Sequence, residues 1–236
     1  MFTLHNCDCL PYMKAMPDKC VDAVVTDPPY GVRIGGNGRI GGNGRITEVK
    51  IFAPIEWDSV GFTSEQFQEV RRVSAIQAIF GFEHLADILG KARSVIVWDK
   101  KIKNNWDDDF SDCEIVWSNA EMTTRIYRYL WMGALRKERG EKYHPTQKPI
   151  AVMEYIISKI SKPGSVIFDP FMGSGSTGVA ALRLGCDFIG CEIDPKYFVI
   201  AEKRIKQAAL QPALLTNTPP PVLEQAANLA LFPTEG

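Results

Sequence analysis

The segment "SVIFDPFMGSGSTGVAALRLGCDFIGCEID", residues 165–194, constrains the fold more than any other stretch of the chain. A short apolar run ends at Asp169 and Pro170. A glycine-rich turn follows, and then a helical run that stops at Gly185, a natural C-cap. A second apolar run ends at Glu192, and Asp194 caps a helix with Pro195 at its first position that runs to about Leu210. Strands and helices alternate upstream as well. "FTLHNCDCL" reads as a strand and a turn, and "VDAVVTD" as a buried strand. "TSEQFQEVRRVSA" reads as a helix with Thr63 and Gln66 spaced as a capping box. "AIQAIFGF" and "SVIVWDKK" read as strands on either side of the helix "EHLADILGKA". "EIVWSNAEM" and "RIYRYLW" suggest a hairpin, and "QKPIAVMEYIISKI" a helix that stops at Lys162-Pro163-Gly164. This alternation predicts an α/β fold with a doubly wound, mostly parallel sheet. The 236 residues suffice for one such domain with a sizeable core.

In such sheets ligands bind at the carboxyl ends of the strands. Gly173-x-Gly175-x-x-Gly178 lies between a strand and a helix, and Glu192 follows at the next strand end. Glycines let the backbone approach a ligand closely, and the carboxylate is placed to accept hydrogen bonds from ribose hydroxyls. The pattern implies an adenosine-containing cofactor, either NAD or S-adenosylmethionine (AdoMet), and does not choose between them. A second formal match, Gly36-x-Gly38-x-x-Gly41, has no strand before it and no helix after it, and is rejected.

The stretch "VDAVVTDPPYG", residues 21–31, decides the chemistry. Pro28 and Pro29 remove two backbone donors and stiffen the path after the strand. Asp27 offers a carboxylate acceptor, the Pro28 carbonyl a second acceptor, and Tyr30 a flat ring. Together they suit a planar exocyclic amine, with two acceptors for two N–H groups and a stacking face for the base. Two acceptors draw the conjugated nitrogen toward tetrahedral geometry and free its lone pair for direct methyl transfer. Hydride transfer has no use for this arrangement, which disfavours an NAD enzyme.

These residues resemble the amino-methylating DNA methyltransferases in which the catalytic motif precedes the AdoMet motif. "TDPPYG" is similar to the family's catalytic motif and "DPFMGSGSTG" to its AdoMet loop. "HPTQKP", residues 144–149, resembles the segment before that loop. "HNCDCL" is similar to the usual opening, with Asn6 where glycine is common. The resemblance implies a seven-stranded sheet with one antiparallel strand, circularly permuted relative to other methyltransferases. It implies Asp27, Pro28, Pro29 and Tyr30 as the catalytic motif, Asp8 and Cys9 near the adenine of AdoMet, and Glu192 on the ribose. Asp169, Phe171, Gly173, Gly175, Ser176 and Thr177 would line the methionine side, closed by His144, Thr146 and Lys148. Aspartate at position 27 resembles the adenine-N6 enzymes more than the cytosine-N4 enzymes, which more often carry serine there. The expected activity is adenine-N6 methylation of a flipped-out base in double-stranded DNA. The alternatives are cytosine-N4 methylation, RNA adenine methylation, and a non-catalytic AdoMet- or DNA-binding protein.

The net charge of −1 does not advertise a nucleic-acid binder. Basic residues nevertheless cluster between 125 and 148, where Arg125, Arg128, Arg136, Lys137 and Arg139 alternate with Tyr127, Tyr129 and Trp131. A basic, aromatic stretch suits DNA. Arg33 and Arg39, in a loop where "GGNGRI" occurs twice in tandem, are further candidates for phosphates. The expected organisation is one catalytic domain over 1–210, with a small target-recognition insertion within about 31–143 and a linker and tail over 211–236. So small an insertion implies a short or relaxed recognition sequence. The six cysteines form no Cys-x-x-Cys pair and are expected reduced, with no metal site; "NNWDDDFSD" reads as a solvated acidic turn. No apolar run approaches the ~18 residues of a membrane helix, and the opening shows no signal-peptide pattern. A cytoplasmic enzyme without a fused nuclease, monomeric or homodimeric, is expected.

Overall fold

Val21–Thr26 forms β2, which lies at the centre of the sheet because both its faces are apolar. Ala23 and Val25 point into one core, and Val24 into the other. The same alternation holds in β3 (Ser74–Phe80), where Ala78 and Phe80 oppose Ile79, and in β9 (Val166–Asp169), where Ile167 opposes Phe168. A strand buried on both sides needs helices on both sides. The computed structural model describes residues 1–31, 61–101, 111–132, 135–136 and 147–211.

The remaining strands are β1 (Phe2–His5), β4 (Ser94–Asp99), β5 (Cys113–Ser118), β6 (Arg125–Arg128), β7 (Trp131–Met132), β8 (Leu135–Arg136) and β10 (Asp187–Cys191). Eight of them form one sheet in the order β1-β10-β9-β2-β3-β5-β4-β6, and β7 pairs with β8 in a separate ribbon. Every pairing in the large sheet is parallel except those of β5, which runs antiparallel to β3 and β4. One antiparallel strand is therefore present as the resemblance implied. The count is eight rather than seven because the four-residue β6 adds an edge strand parallel to β4. The expected hairpin of β5 with β6 does not form. β5 is flanked by β3 and β4, so β6 has only the outer edge of β4 on which to pair.

The helices are α1 (Cys9–Ala15), α2 (Ser64–Val73), α3 (Phe82–Leu89), α4 (Ile150–Ile160), α5 (Ser176–Arg183) and α6 (Pro195–Leu210). Helices α4, α5 and α6 pack on one face with Ala23, Val25 and Ile167, and α1, α2 and α3 on the other with Val24, Ile79 and Phe168. The capping box of α2 is complete: Gln66 N donates to Thr63 Oγ1, and Thr63 N donates to Gln66 Oε1. The sequence suggested only a turn where α1 forms; Asp8 caps it through a bond from Leu10 N at 2.9 Å. Gly178 lets α5 lie close to its neighbours, since a Cβ there would come within 2.7 Å of the Phe188 ring and 2.6 Å of Ile205. No helix among the described residues is long and apolar enough to cross a membrane. The doubled "GGNGRI" segment and residues 212–236 lie outside the described residues.

Candidate active site

Parallel strands finish at a common edge, and here four adjacent ones finish beside carboxylates. Asp27 follows β2, Asp169 ends β9, Glu192 follows β10 and Asp8 lies just beyond β1. The antiparallel β5 begins at that edge, so it delivers Glu114 to the same place.

On the glycine-loop side, Asp169 is 2% exposed and fully bonded. It accepts from Thr26 Oγ1 at 2.7 Å, Thr177 Oγ1 at 2.5 Å and Phe171 N at 3.0 Å. Burial pushes its carboxyl up to about 6, against the pull of those bonds. Glu192 accepts from Gly173 N at 2.9 Å and Asp194 N at 2.8 Å, and burial pushes it up to about 7. Its two oxygens keep further lone pairs for other donors. Asn6 clamps the end of β10 from β1: its Nδ2 donates to the carbonyls of Glu192 at 2.7 Å and Ile193 at 3.2 Å. Arg204, on α6, donates to the carbonyl and hydroxyl of Ser174 and so holds the glycine loop from behind. Ser176 Oγ is buried and without a hydrogen-bond partner among the described residues. Phe171 lies edge-on to Phe62, with ring centroids 5.8 Å apart. Asp8 is exposed, whereas Cys9 is buried in the core beside Met13, its thiol pushed up by that burial.

On the "DPPY" side, Tyr30 donates its hydroxyl to Asp27 Oδ1, and Lys148 Nζ lies 2.6 Å from Asp27 Oδ2. Burial raises the Asp27 carboxyl, against the opposing charge of Lys148. Tyr30 is held well above its ordinary value by burial and the neighbouring carboxylate. The Pro29 carbonyl accepts from Phe62 N at 2.8 Å, while that of Pro28 accepts no hydrogen bond among the described residues. Lys148 also reaches Glu114 Oε2 at 3.1 Å, and Lys100 reaches Glu114 Oε1 at 3.3 Å. Burial alone would raise Glu114, but the two lysines override it and hold it below its ordinary value. Burial alone would lower Lys148, but Asp27 and Glu114 override it and raise it.

The comparisons with known proteins agree on one family. Residues 91–203 match the family model described as DNA methylase. The chain is 29% identical to the type II methyltransferase M2.DpnII of Streptococcus pneumoniae, over 87% of this chain and 90% of that one. It is 27% identical to M.HinfI of Haemophilus influenzae, over 89% of this chain and 70% of that one. Among solved structures, the complex of M1.HpyAVI with SAM aligns with a TM-score of 0.56 at 27% identity, covering 87% of this chain and 99% of that one. The chain is similar to the N6/N4 DNA methylases in sequence and in fold.

In this chain, the two motifs that stand far apart in sequence meet on neighbouring strands β2 and β9, and Thr26 bonds directly to Asp169. Lys148, expected beside the glycine loop, has its ammonium on Asp27 instead. His144, Thr146, Arg33, Arg39, Lys137 and Arg139 lie outside the described residues, and of Arg136 only the backbone is described. Arg125 and Arg128 are exposed on the edge strand β6, with Arg128 Nε 3.4 Å from Asp99. The interleaved aromatics serve packing rather than a stacking surface for bases. Tyr129 is buried, and Tyr127 stacks on Tyr155 of α4 at 4.2 Å. Sequence reasoning missed Thr26, Glu114, Lys100 and Arg204. Thr26 could have been noticed from its place beside Asp27 at the strand end. The others depend on which elements become neighbours.

Proposed function

We propose that this chain transfers a methyl group from AdoMet to the N6 amine of adenine in double-stranded DNA. The observation that carries the reading is the pairing of Asp27 and the Pro28 carbonyl, unengaged among the described residues, at the end of β2 with the glycine loop at the end of the adjacent β9. Asp27 Oδ and the Pro28 carbonyl accept the two amine N–H bonds, and the Tyr30 ring stacks on the base. The base leaves the duplex to reach them, at a cost of a few kcal/mol offset by stacking and phosphate contacts. Pro29 fixes the path that aims these groups. The choice of adenine rests on aspartate at position 27; cytosine-N4 methylation would use the same groups.

The glycine-loop side suits AdoMet. Glu192 retains lone pairs for the ribose hydroxyls, and Ser176 offers a buried hydroxyl, unpartnered among the described residues, at the start of α5, where a carboxylate is favoured. Asp169 and Thr177 hold the loop in shape through their mutual bond, with Gly173, Gly175 and Phe171 around it. Asp8, His144 and Thr146 complete the proposed cofactor site. AdoMet supplies an activated methyl group on a sulfonium. Arg125 and Arg128 are proposed phosphate contacts, together with Arg33, Arg39, Arg136, Lys137 and Arg139. The protein is proposed to act in the cytoplasm as one catalytic domain over 1–210.

Radiolabelled methyl transfer to unmethylated DNA, followed by digestion to nucleosides and mass analysis, tests the reading. N6-methyladenine that disappears with Asp27→Ala is expected. N4-methylcytosine would overturn the base. No methylated nucleoside, with AdoMet still bound, would overturn the DNA reaction.

A further inference from the structure

Lys148 poses a problem of charge. Its ammonium lies 2.6 Å from the carboxylate that, in the reading above, attracts the target amine. That amine becomes positive as the methyl arrives, and the methyl comes from a sulfonium that is itself positive. An unbalanced ammonium at this position would oppose both in a buried setting. It would also compete with the amine for Asp27.

Glu114 supplies the balance. It is the second residue of β5, the one antiparallel strand, and so reaches the edge where β2 ends. Its Oε2 is enclosed and makes no hydrogen bond among the described residues; its near neighbour is the Lys148 ammonium at 3.1 Å. Its Oε1 faces Lys100, at the end of β4, at 3.3 Å. The charges of Asp27, Glu114, Lys148 and Lys100 therefore cancel. The Lys148 ammonium also lies over the Phe80 ring, 5.1 Å from its centroid, which gives it a further contact.

We propose that Glu114 is a positioning residue for methyl transfer: it anchors Lys148 and offsets its charge, leaving Asp27 available to the target amine. The proposal rests on the reading of Asp27 as the acceptor of that amine. Among the described residues, four groups face Asp27: Tyr30 from its own loop, Lys148 from the segment before α4, Glu114 from β5 and Asp169 from β9. Lys100 stands behind Glu114, and Glu83 of α3 acts on Tyr30. With the Glu114 carboxylate removed, Asp27 loses a like charge and has Lys148 to itself. It then ionises at lower pH, yet is less available to the amine. Removing Lys100 takes away a cation and moves the ionisation the other way.

The test is the single-turnover methylation rate against pH for wild type, Glu114→Gln and Lys100→Met, with AdoMet affinity and thermal melting measured alongside. For Glu114→Gln the plateau rate falls roughly tenfold or more, the scale expected of a misplaced group, while AdoMet affinity holds. Its acid limb moves to lower pH. For Lys100→Met the acid limb moves to higher pH. A folded Glu114→Gln protein with the wild-type plateau, or with an unmoved limb, would overturn the proposal. If Glu114→Gln does not fold, Lys100→Met decides alone: an upward shift supports the proposal and an unmoved limb overturns it. A wild-type protein that transfers no methyl group would instead overturn the reading of Asp27, and this proposal with it.

Discussion

The ring of Tyr30 fills the space that a side chain on Gly81 would need: a Cβ there would lie 2.2 Å from Tyr30 Cε1. Gly81 follows β3 with φ +77°, and its carbonyl accepts from His84 N at 2.9 Å and Leu85 N at 3.0 Å to start α3. The turn is therefore both the seat of Tyr30 and the entry to a helix. Gly81→Ala would add left-handed strain, on the order of 1–3 kcal/mol, and force Tyr30 off its position. The expected outcome is a loss of methylation of about a hundredfold, with AdoMet affinity little changed because the glycine loop is untouched. Parallel calorimetry and methyl-transfer assays check this; equal losses in binding and rate would count against it.

Glu192 and Asp169 make the cofactor side sensitive to pH. Their ordinary values of 4.5 and 3.8 rise to about 7 and about 6 on burial. Between those limits the folded protein binds protons that the unfolded chain has released. Their contribution to stability is therefore present at low pH and lost as pH rises through about 6 to 7. In the proposed site, binding to ribose hydroxyls favours the ionised Glu192, so AdoMet affinity is expected to weaken as pH falls below about 7. Binding near neutrality should also release protons. Calorimetry in buffers of different ionisation enthalpy measures that release, and Glu192→Gln should abolish it.

The parts of the site built from continuous sequence could be read directly. The strand before Asp27, the two prolines, and the strand–glycine–helix unit ending at Glu192 each declare themselves by local pattern. What could not be read were contacts that depend on sheet order. Glu114 reaches the Lys148 ammonium beside Asp27 only because β5 runs against its neighbours, a reversal no local pattern encodes. The same holds for the basic, aromatic stretch. Alternating arginine and tyrosine over 125–129 is compatible with a DNA surface or with an edge strand packed on a helix. Only the contact of Tyr127 with Tyr155 separates its aromatic half from the first possibility. The helix α1 was missed because it is a seven-residue segment containing Pro11, too short for periodicity to register.

Asn6 fastens the end of β10 to β1. Its two bonds to the Glu192 and Ile193 carbonyls tie β1 to the loop that holds the Glu192 carboxylate. Asn6→Gly removes both and adds backbone freedom. At about 0.5–1.5 kcal/mol per bond, the two are worth about 1–3 kcal/mol, so AdoMet affinity should fall roughly 5- to 150-fold while the single-turnover rate at saturating AdoMet stays near wild type. A changed rate at saturation with unchanged affinity would place Asn6 in the wrong half of the site.

Arg72 is the expected stability hub on the opposite face. Its guanidinium closes the C-terminal end of α1, donating to the carbonyls of Met13 at 2.6 Å and Met16 at 2.8 Å. It also pairs with Glu69 at 2.7 Å and Asp18 at 2.6 Å. These bonds fasten α1 to α2, and with α1 the stretch that carries Asp8. The pair with Asp18 is largely exposed and contributes little. The bonds to the carbonyls matter more, because both are made by a fixed planar fork. Arg72→Ala should cost roughly 1–3 kcal/mol, a fall in Tm of about 2–4 °C per kcal/mol for a chain of this size. Arg72→Lys should recover little of it, since a single ammonium does not span both carbonyls and Glu69. Thermal melts of the two variants decide: a lysine variant as stable as wild type would show that charge alone, rather than the fork, holds α1 in place.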